Sequence, residues 1–100
     1  MNSDDAMLET WLVRVHGQVQ GIGYREACVR RARALAVTGW VRNRMDGSVE
    51  AMIQGSPRLI ADMCAWLREG MPAALVEEFE VTEVPPPFAR FDEFTRLPSL

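Results

Sequence analysis

The first strand and the first helix of this chain meet in the sequence Gly17-Gln18-Val19-Gln20-Gly21-Ile22-Gly23-Tyr24-Arg25. Upstream, residues 10–16 place apolar side chains at every second position, which predicts a strand with one buried face. Downstream, residues 25–36 carry apolar side chains at helical spacing, which predicts a helix. The quoted stretch is therefore a glycine-rich loop between a strand and a helix.

A hairpin is predicted to follow this unit. Residues 38–44 and 48–54 have the composition and alternation of strands. Between them, Met45-Asp46-Gly47 predicts a tight turn, because Asp-Gly is a strong hairpin signal.

A second helix and two short strands are predicted to complete the chain. Ser56 and Pro57 suit the N-cap and the first helical position, and the helix is expected to run to about Glu69. Strand-like segments at 76–84 and 91–95 follow, separated by three prolines. The order β-α-β-β-α-β predicts an α+β ferredoxin-like sandwich. Two helices would pack on one face of an antiparallel sheet, with a possible short fifth strand at its edge.

Length and charge narrow the range of functions. One hundred residues suit one domain, which we assign to residues 10–100 after an acidic N-terminal extension over residues 1–9. The net charge of −3 gives no general attraction to nucleic acid or to an anionic membrane. No basic leader or bilayer-length apolar run is present, which predicts a cytoplasmic protein, and we expect a monomer.

Cysteine and histidine usage predicts that neither a metal nor another cofactor is required. Cys28 and Cys64 lie in helical patterns and are interpreted as reduced thiols. One histidine and no Cys-x-x-Cys pair argue against a metal site. His16 is interpreted as a structural or exposed residue, and Tyr24 as a packing residue at the junction of loop and helix.

The glycine-rich loop has the composition of an anion site. Glycine lets the backbone approach a ligand closely, and free amides at a helix start attract negative charge. Arg25 adds a planar cationic fork that fits phosphate oxygens. Tight strand-to-helix turns also use glycine for steric reasons, so the pattern alone leaves both interpretations open.

Topology predicts that Asn43 lies near this loop. A β-α-β crossover is right-handed, so its two strands run parallel and end at the same edge of the sheet. The second of these strands ends at Asn43 and Arg44. Asn43 could equally be a turn former beside Asp-Gly, and Arg42 and Arg44 could either raise the local positive potential or face solvent.

Two motifs closely resemble the signatures of the acylphosphatase family. The first is Gly17-x-Val19-Gln20-Gly21-Ile22-Gly23-Tyr24-Arg25, and the second is Gly39-Trp40-Val41-Arg42-Asn43-Arg44-Met45-Asp46-Gly47-Ser48-Val49 followed by Gly55. The resemblance extends over about residues 10–95. It implies hydrolysis of acyl phosphates to a carboxylate and inorganic phosphate without a metal.

The resemblance also implies roles for single residues. Arg25 would bind the phosphate, and Asn43 would position the attacking water. Backbone amides of the loop would complete the phosphate site, at Gln18, Val19, Gln20, Gly21, Ile22 and Gly23. Phosphoryl transfer depends mainly on positioning and charge stabilisation, so the lack of an obvious nucleophile agrees with this chemistry.

Two alternatives are non-catalytic ferredoxin-like modules. One would bind single-stranded RNA on the open face of the sheet, which some sheets of this kind do with aromatic residues. The side chains expected there do not form a stacking platform: Leu12, Arg14, His16, Glu50, Met52 and Gln54. The other would be a regulatory or carrier domain that handles acyl or carbamoyl phosphate without turnover.

Overall fold

The computed structural model describes residues 7–100, so most of the predicted N-terminal extension lies outside the described residues. Residue 9 of that extension already belongs to the first strand. The described chain forms five strands, β1 (Glu9–Gln18), β2 (Thr38–Asn43), β3 (Val49–Gly55), β4 (Leu75–Glu83) and β5 (Phe94–Arg96), and two helices, α1 (Tyr24–Leu35) and α2 (Pro57–Glu69). The predicted order β-α-β-β-α-β and the fifth strand are therefore confirmed. Most of the predicted bounds differ from the observed ones by one residue.

The sheet order is β4-β1-β3-β2-β5. Strand β3 pairs antiparallel with both β1 and β2, so these two strands run parallel to each other, as the crossover predicts. Val49 of β3 is opposite Val15 on one side and Asn43 on the other. The ends of β1 and β2 therefore lie at one edge of the sheet, separated by a single strand.

Strand β5 departs from the predicted antiparallel sheet because it pairs parallel with β2. The chain leaves β4 at one side of the sheet and crosses the end of β3 before it reaches β2 on the other side. Gln54 of β3 holds this crossing, since its side chain donates to the carbonyl of Ala89 and accepts from the amide of Phe91. The crossing lies at the end of the sheet where β2 begins. From there β5 can only run in the same direction as β2, so the two strands are parallel. The held segment also explains why β5 begins at Phe94 rather than at residue 91.

The core lies between the two helices and one face of the sheet. Alternate residues of β1 point into it, and Val13 and Val15 are fully buried there. The hydroxyl of Tyr24 in α1 donates to the carbonyl of Leu67 in α2 at 2.6 Å, which ties the two helices together. Burial raises the pKa of the Tyr24 hydroxyl, with a smaller contribution from Cys28 nearby, so the group stays neutral. Neither helix of the described residues has the length and the apolar character that a bilayer span requires.

Both cysteines are free thiols. Cys28 of α1 is fully buried, and this burial raises the pKa of its thiol. Cys64 of α2 is half-buried, and burial raises its pKa as well, against an opposing effect of Arg68. Neither thiol lines the cavity described below.

The open face of the sheet differs from the sequence expectation at two positions. Glu50 and Gln54, expected to face solvent, are only 3% and 2% exposed. Glu50 is covered by Arg14, Arg42 and Arg44, whose guanidinium groups all contact its carboxylate at 2.8–3.2 Å. Gln54 is covered by the crossing segment that it holds. Polar side chains can be buried in this way because their hydrogen bonds are satisfied.

Candidate active site

The loop between β1 and α1 is shaped by two glycines in the left-handed region. Gly21 has φ = 78° and Gly23 has φ = 81°. A Cβ atom at either position would meet no atom within 4 Å, so glycine is required by the backbone conformation and not by lack of space. Other residues adopt this conformation at a cost of about 1–2 kcal/mol each. The loop curls back on itself and leads directly into α1.

Helix α1 begins without a side-chain cap. Gly23 is its N-cap residue and forms no side-chain hydrogen bond, and the carbonyl of Gly23 accepts from the amide of Ala27. Within residues 7–100, the backbone N–H groups from Gly21 to Arg25 find no acceptor. Unpaired amides at the positive end of a helix dipole form a site for an anion. The sequence expectation for this loop thus has a structural basis.

A cavity of about 110 Å³ opens at this helix start. At about 30 Å³ of liquid volume per water molecule, it has room for about three or four waters. Typical pockets for small organic ligands measure about 300–1,000 Å³. Loop residues, the start of α1 and the ends of β2 and β5 line the cavity: Val19, Gln20, Gly21, Gly23, Tyr24, Arg25, Glu26, Asn43 and Arg96. The cavity therefore suits a compact group with the size of a phosphoryl group.

Arg25 supplies a cation to this cavity. Its guanidinium group takes part in no hydrogen bond or ion pair within the part of the chain that the structure describes. Its side chain is half-buried, and the neighbouring Tyr24 is held in the core. An arginine without a protein partner beside free amides is available to an oxyanion.

Asn43, the last residue of β2, reaches the cavity from the opposite side. Its Oδ1 atom is buried and has no hydrogen-bond partner among the described residues. Its backbone is fixed, because the carbonyl accepts from the amide of Leu100 at 3.0 Å and the residue pairs with Val49 in the sheet. A buried oxygen without a partner is uncommon and indicates an acceptor intended for water or a ligand.

Gln20 fastens the loop to the turn after Asn43. Its side-chain amide donates to the carbonyls of Arg44 and Ser48, each at 2.9 Å. The turn itself is tight, as predicted, because Ser48 donates twice to the Asp46 carboxylate. These contacts set the separation between the two sides of the cavity.

The rim of the cavity carries an ion pair. Arg96 of β5 donates through Nη1 to Glu26 Oε1 in the first turn of α1. The side chains of Arg96 and Glu26 are 49% and 56% exposed. Parallel pairing places Arg96 opposite Val41, so β5 reaches the same sheet edge as β2.

The cationic residues near Asn43 share one carboxylate. Arg42 and Arg44 are both paired with Glu50, together with Arg14. Burial alone would raise the pKa of Glu50, but hydrogen bonds from Arg14 and Arg42 and the charges of Arg42 and Arg44 hold it below its usual value. Three guanidinium groups and one carboxylate leave the cluster with a net charge of +2. Of the two interpretations left open, a raised local positive potential therefore fits both arginines better than free exposure to solvent.

The structure brings most of the predicted site residues together. Arg25, Asn43 and four loop residues line one cavity: Val19, Gln20, Gly21 and Gly23. Gln18 and Ile22 do not line it. Gln18 ends β1 opposite Leu75 of β4, and Ile22 packs against the core.

Two other sequence interpretations agree with the structure. His16 lies outside the cavity and contacts Glu80 at 2.9 Å on the open face of the sheet. Tyr24 packs at the loop-helix junction, with its ring 5.7 Å from that of Trp66.

Sequence reasoning missed the rim. Arg96 and Glu26 are 70 positions apart, and neither belongs to a periodic pattern that would distinguish it from a surface residue. The tie made by Gln20 was also missed, because its acceptors are backbone carbonyls, which the sequence does not reveal.

Comparisons with known proteins agree with this geometry. The model of the acylphosphatase family matches residues 11–95. Acylphosphatase 1 of Ralstonia nicotianae is 74% identical over 98 residues, which cover 98% of this chain and 96% of that protein. An acylphosphatase of Polaromonas naphthalenivorans is 60% identical, with 100% of each chain covered. The solved structure of an acylphosphatase from Coxiella burnetii has a TM-score of 0.85 at 31% identity and covers 97% of this chain and 100% of that one.

The family match includes both the loop that shapes the cavity and the strand that ends at Asn43. The similarity to the curated relatives runs through nearly their whole length, so the cavity, the sheet and the two helices are compared as one unit. This chain belongs to the acylphosphatase family.

Proposed function

We propose that this protein hydrolyses acyl phosphates to a carboxylate and inorganic phosphate in the cavity between the glycine loop and the end of β2. One observation carries the proposal. Two residues line the same small cavity: Arg25, whose guanidinium group has no partner among the described residues, and Asn43, whose buried amide oxygen has none either. The first is suited to an anion, and the second to a polar hydrogen such as that of water.

The Arg25 side chain and the backbone amides of Gly21, Gly23, Tyr24 and Arg25, which all line the cavity, hold the phosphoryl oxygens in this proposal. The amides are fixed in place by the loop conformation before substrate binds, so little reorganisation is needed. The arginine adds a full positive charge at the same place. Together they offset the negative charge that the equatorial oxygens carry during transfer.

Asn43 orients the attacking water through its Oδ1 atom. The water oxygen forms a bond to phosphorus while the bond from phosphorus to the acyl oxygen breaks, and the acyl group leaves as a carboxylate. The water protons remain with the phosphate product and solvent. A carboxylate is a good leaving group, so the reaction needs no strong protein acid, and a neutral amide is sufficient to position the water.

The alternatives without catalysis have weaker support. On the open face, Glu50 and Gln54 are buried, three arginines are engaged with Glu50, and the Arg42 guanidinium group lies over the Trp40 ring at 4.7 Å. This arrangement leaves little for RNA bases to stack on or bind. A carrier domain would hold the phosphoryl group but would have no use for a second polar group opposite Arg25. The absence of nucleic-acid partners, the monomeric state and the cytoplasmic location remain predictions.

Release of inorganic phosphate from several phosphorylated compounds tests the proposal. Acetyl phosphate and benzoyl phosphate should both be hydrolysed, and 4-nitrophenyl phosphate, a phosphate ester, much more slowly. A retention assay on filters with single-stranded RNA should give no binding. Phosphate binding without any turnover of acyl phosphates would favour the carrier domain instead.

A further inference from the structure

The acyl group of a bound substrate must lie at the mouth of the cavity. The cavity of about 110 Å³ is smaller than the pockets of about 300–1,000 Å³ that enclose whole organic ligands. The acyl group therefore passes the rim toward solvent. Its neighbours there are the side chains of Glu26 and Arg96, which line the cavity and are 56% and 49% exposed. This placement of the acyl group rests on the proposed function, because it takes the cavity as the phosphoryl site.

Arg96 has binding capacity that the protein does not use. Its guanidinium group has one acceptor within residues 7–100, the carboxylate of Glu26, which it meets through Nη1. Arginine carries five N–H donors in a rigid planar fork, which can bind a carboxylate through two parallel hydrogen bonds. A second face of the fork is therefore open to an anion at the cavity mouth. Strand β5 supports the residue, because Arg96 is held beside Val41 by the parallel pairing with β2.

The existing ion pair is no obstacle to another anion. Both partners are about half-exposed, and ion pairs of this kind contribute only about 0–1 kcal/mol because water and salt screen them. A carboxylate that arrives tethered to a bound phosphoryl group acts at a high effective concentration. It can share the guanidinium group with Glu26 or replace it. Glu26 then has a defined effect, since its negative charge competes with the incoming group.

We propose that Arg96 is a specificity-determining residue that binds a carboxylate on the acyl group, so that the enzyme favours acyl phosphates of dicarboxylic acids. Glu26 moderates this preference by occupying Arg96 in the free enzyme. Arg96 acts on the acyl end of the substrate, whereas Arg25 acts on the phosphoryl end. The two arginines thus separate recognition of the leaving group from the chemistry.

A pair of matched substrates tests the inference. Pentanoyl phosphate and glutaryl phosphate have the same chain length and differ by a terminal methyl group or carboxylate. The measured quantity is the ratio of kcat/KM for glutaryl phosphate to that for pentanoyl phosphate. In the parent protein this ratio should exceed one, and it should fall as salt is raised, because exposed charges are screened.

Variants at the rim should move the ratio in opposite directions. Arg96→Gln should lower it by about two- to fivefold, the value of one exposed ion pair, and Glu26→Gln should raise it. Arg58→Gln is the matched control, since Arg58 is exposed on α2 and does not line the cavity. Its ratio should equal that of the parent protein.

Each contrary result has its own meaning. Equal losses for both substrates in Arg96→Gln, with weaker inhibition by inorganic phosphate, would place Arg96 at the phosphoryl group and overturn the inference. A ratio that none of the variants changes would overturn it as well. If the parent protein released phosphate from neither substrate, the proposed function itself would fail, and this outcome is distinct from the other two.

Discussion

The side-chain amide of Gln20 lies 2.9 Å from the backbone carbonyl of Arg44, so the loop before α1 is fastened to the turn after β2. A second hydrogen bond of the same length reaches the carbonyl of Ser48. Arg25 follows the loop and Asn43 precedes the turn. The tie therefore controls the separation between the proposed anion site and the proposed water site.

Replacing Gln20 by Met should reduce turnover more than it weakens phosphate binding. Methionine has nearly the same size and no charge but no donor for the two carbonyls, so the two sides of the cavity lose their link. A misplacement of about 1 Å can cost on the order of 10²-fold in rate. We expect kcat to fall at least about tenfold, with a smaller change in the inhibition constant for phosphate. Normal kcat in a folded variant would show that the sheet alone sets the separation.

Arg25→Ala should abolish most of the activity and also the inhibition by inorganic phosphate. The variant removes the cation from the cavity and leaves the loop amides, so we expect a loss on the order of 10²–10³-fold in kcat/KM. Arg31→Ala, at an exposed position of the same helix, is the matched control. Circular dichroism should give the same spectrum for both. Phosphate inhibition as strong as in the parent protein would remove Arg25 from the anion site.

Asn43→Ala separates binding from chemistry. The loop amides and Arg25 remain, so the inhibition constant for phosphate should change little. Turnover should fall on the order of 10²-fold, because the water loses its orienting acceptor. Steady-state rates with benzoyl phosphate, measured alongside phosphate inhibition, give both quantities. Near-normal turnover would reduce Asn43 to a residue that ends β2.

Turnover should need neither thiol nor added metal. A double variant, Cys28→Ala with Cys64→Ala, should retain the specific activity of the parent protein. Its stability should fall by about 1–2 kcal/mol, mainly because a small cavity replaces the buried Cys28 thiol. Urea unfolding and phosphate release with and without a chelator provide the measurements. Loss of activity on chelation, restored by a divalent metal, would contradict the metal-free mechanism.

The Glu50 cluster should make the fold sensitive to acid. The folded state lowers the pKa of Glu50, so the stabilisation is fully present above the unfolded value of about 4.3 and is lost as the pH falls through the folded value. Glu50→Gln should lower the free energy of unfolding by about 1–3 kcal/mol at pH 7. The difference between variant and parent should shrink as the pH approaches 3. Urea midpoints that keep a constant difference over that range would show that Glu50 does not titrate with unfolding.

Local patterns predicted the elements well and placed Arg25 and Asn43 close together in the fold. Alternation fixed the buried face of β1, and the glycines of the loop marked the place where an anion can meet backbone amides. Asn43 could be placed near the glycine-rich loop because a β-α-β crossover is almost always right-handed. The ends of β1 and β2 therefore had to lie at the same edge of the sheet. These features depend on short stretches of chain and on general rules of connection.

Other features required the folded structure because they depend on pairs far apart in sequence. Glu50 has the alternation of an exposed residue, yet the arginines of β1 and β2 bury its carboxylate. The direction of β5 follows from a crossing held by Gln54, and the rim pair follows from that direction. No periodic pattern in the sequence indicates contacts that depend on one another in this way.

The position of β3 between β1 and β2 has a consequence for synthesis of the protein. A nascent chain that has emerged as far as Asn43 already contains both residues assigned to the phosphoryl and water sites. It has no active site, because β1 and β2 do not pair with each other and only β3 joins them. The β2-β3 hairpin must emerge from the ribosome before Arg25 and Asn43 can come together. Hydrolysis of acyl phosphates is thus withheld from the growing chain until its central strand is in place.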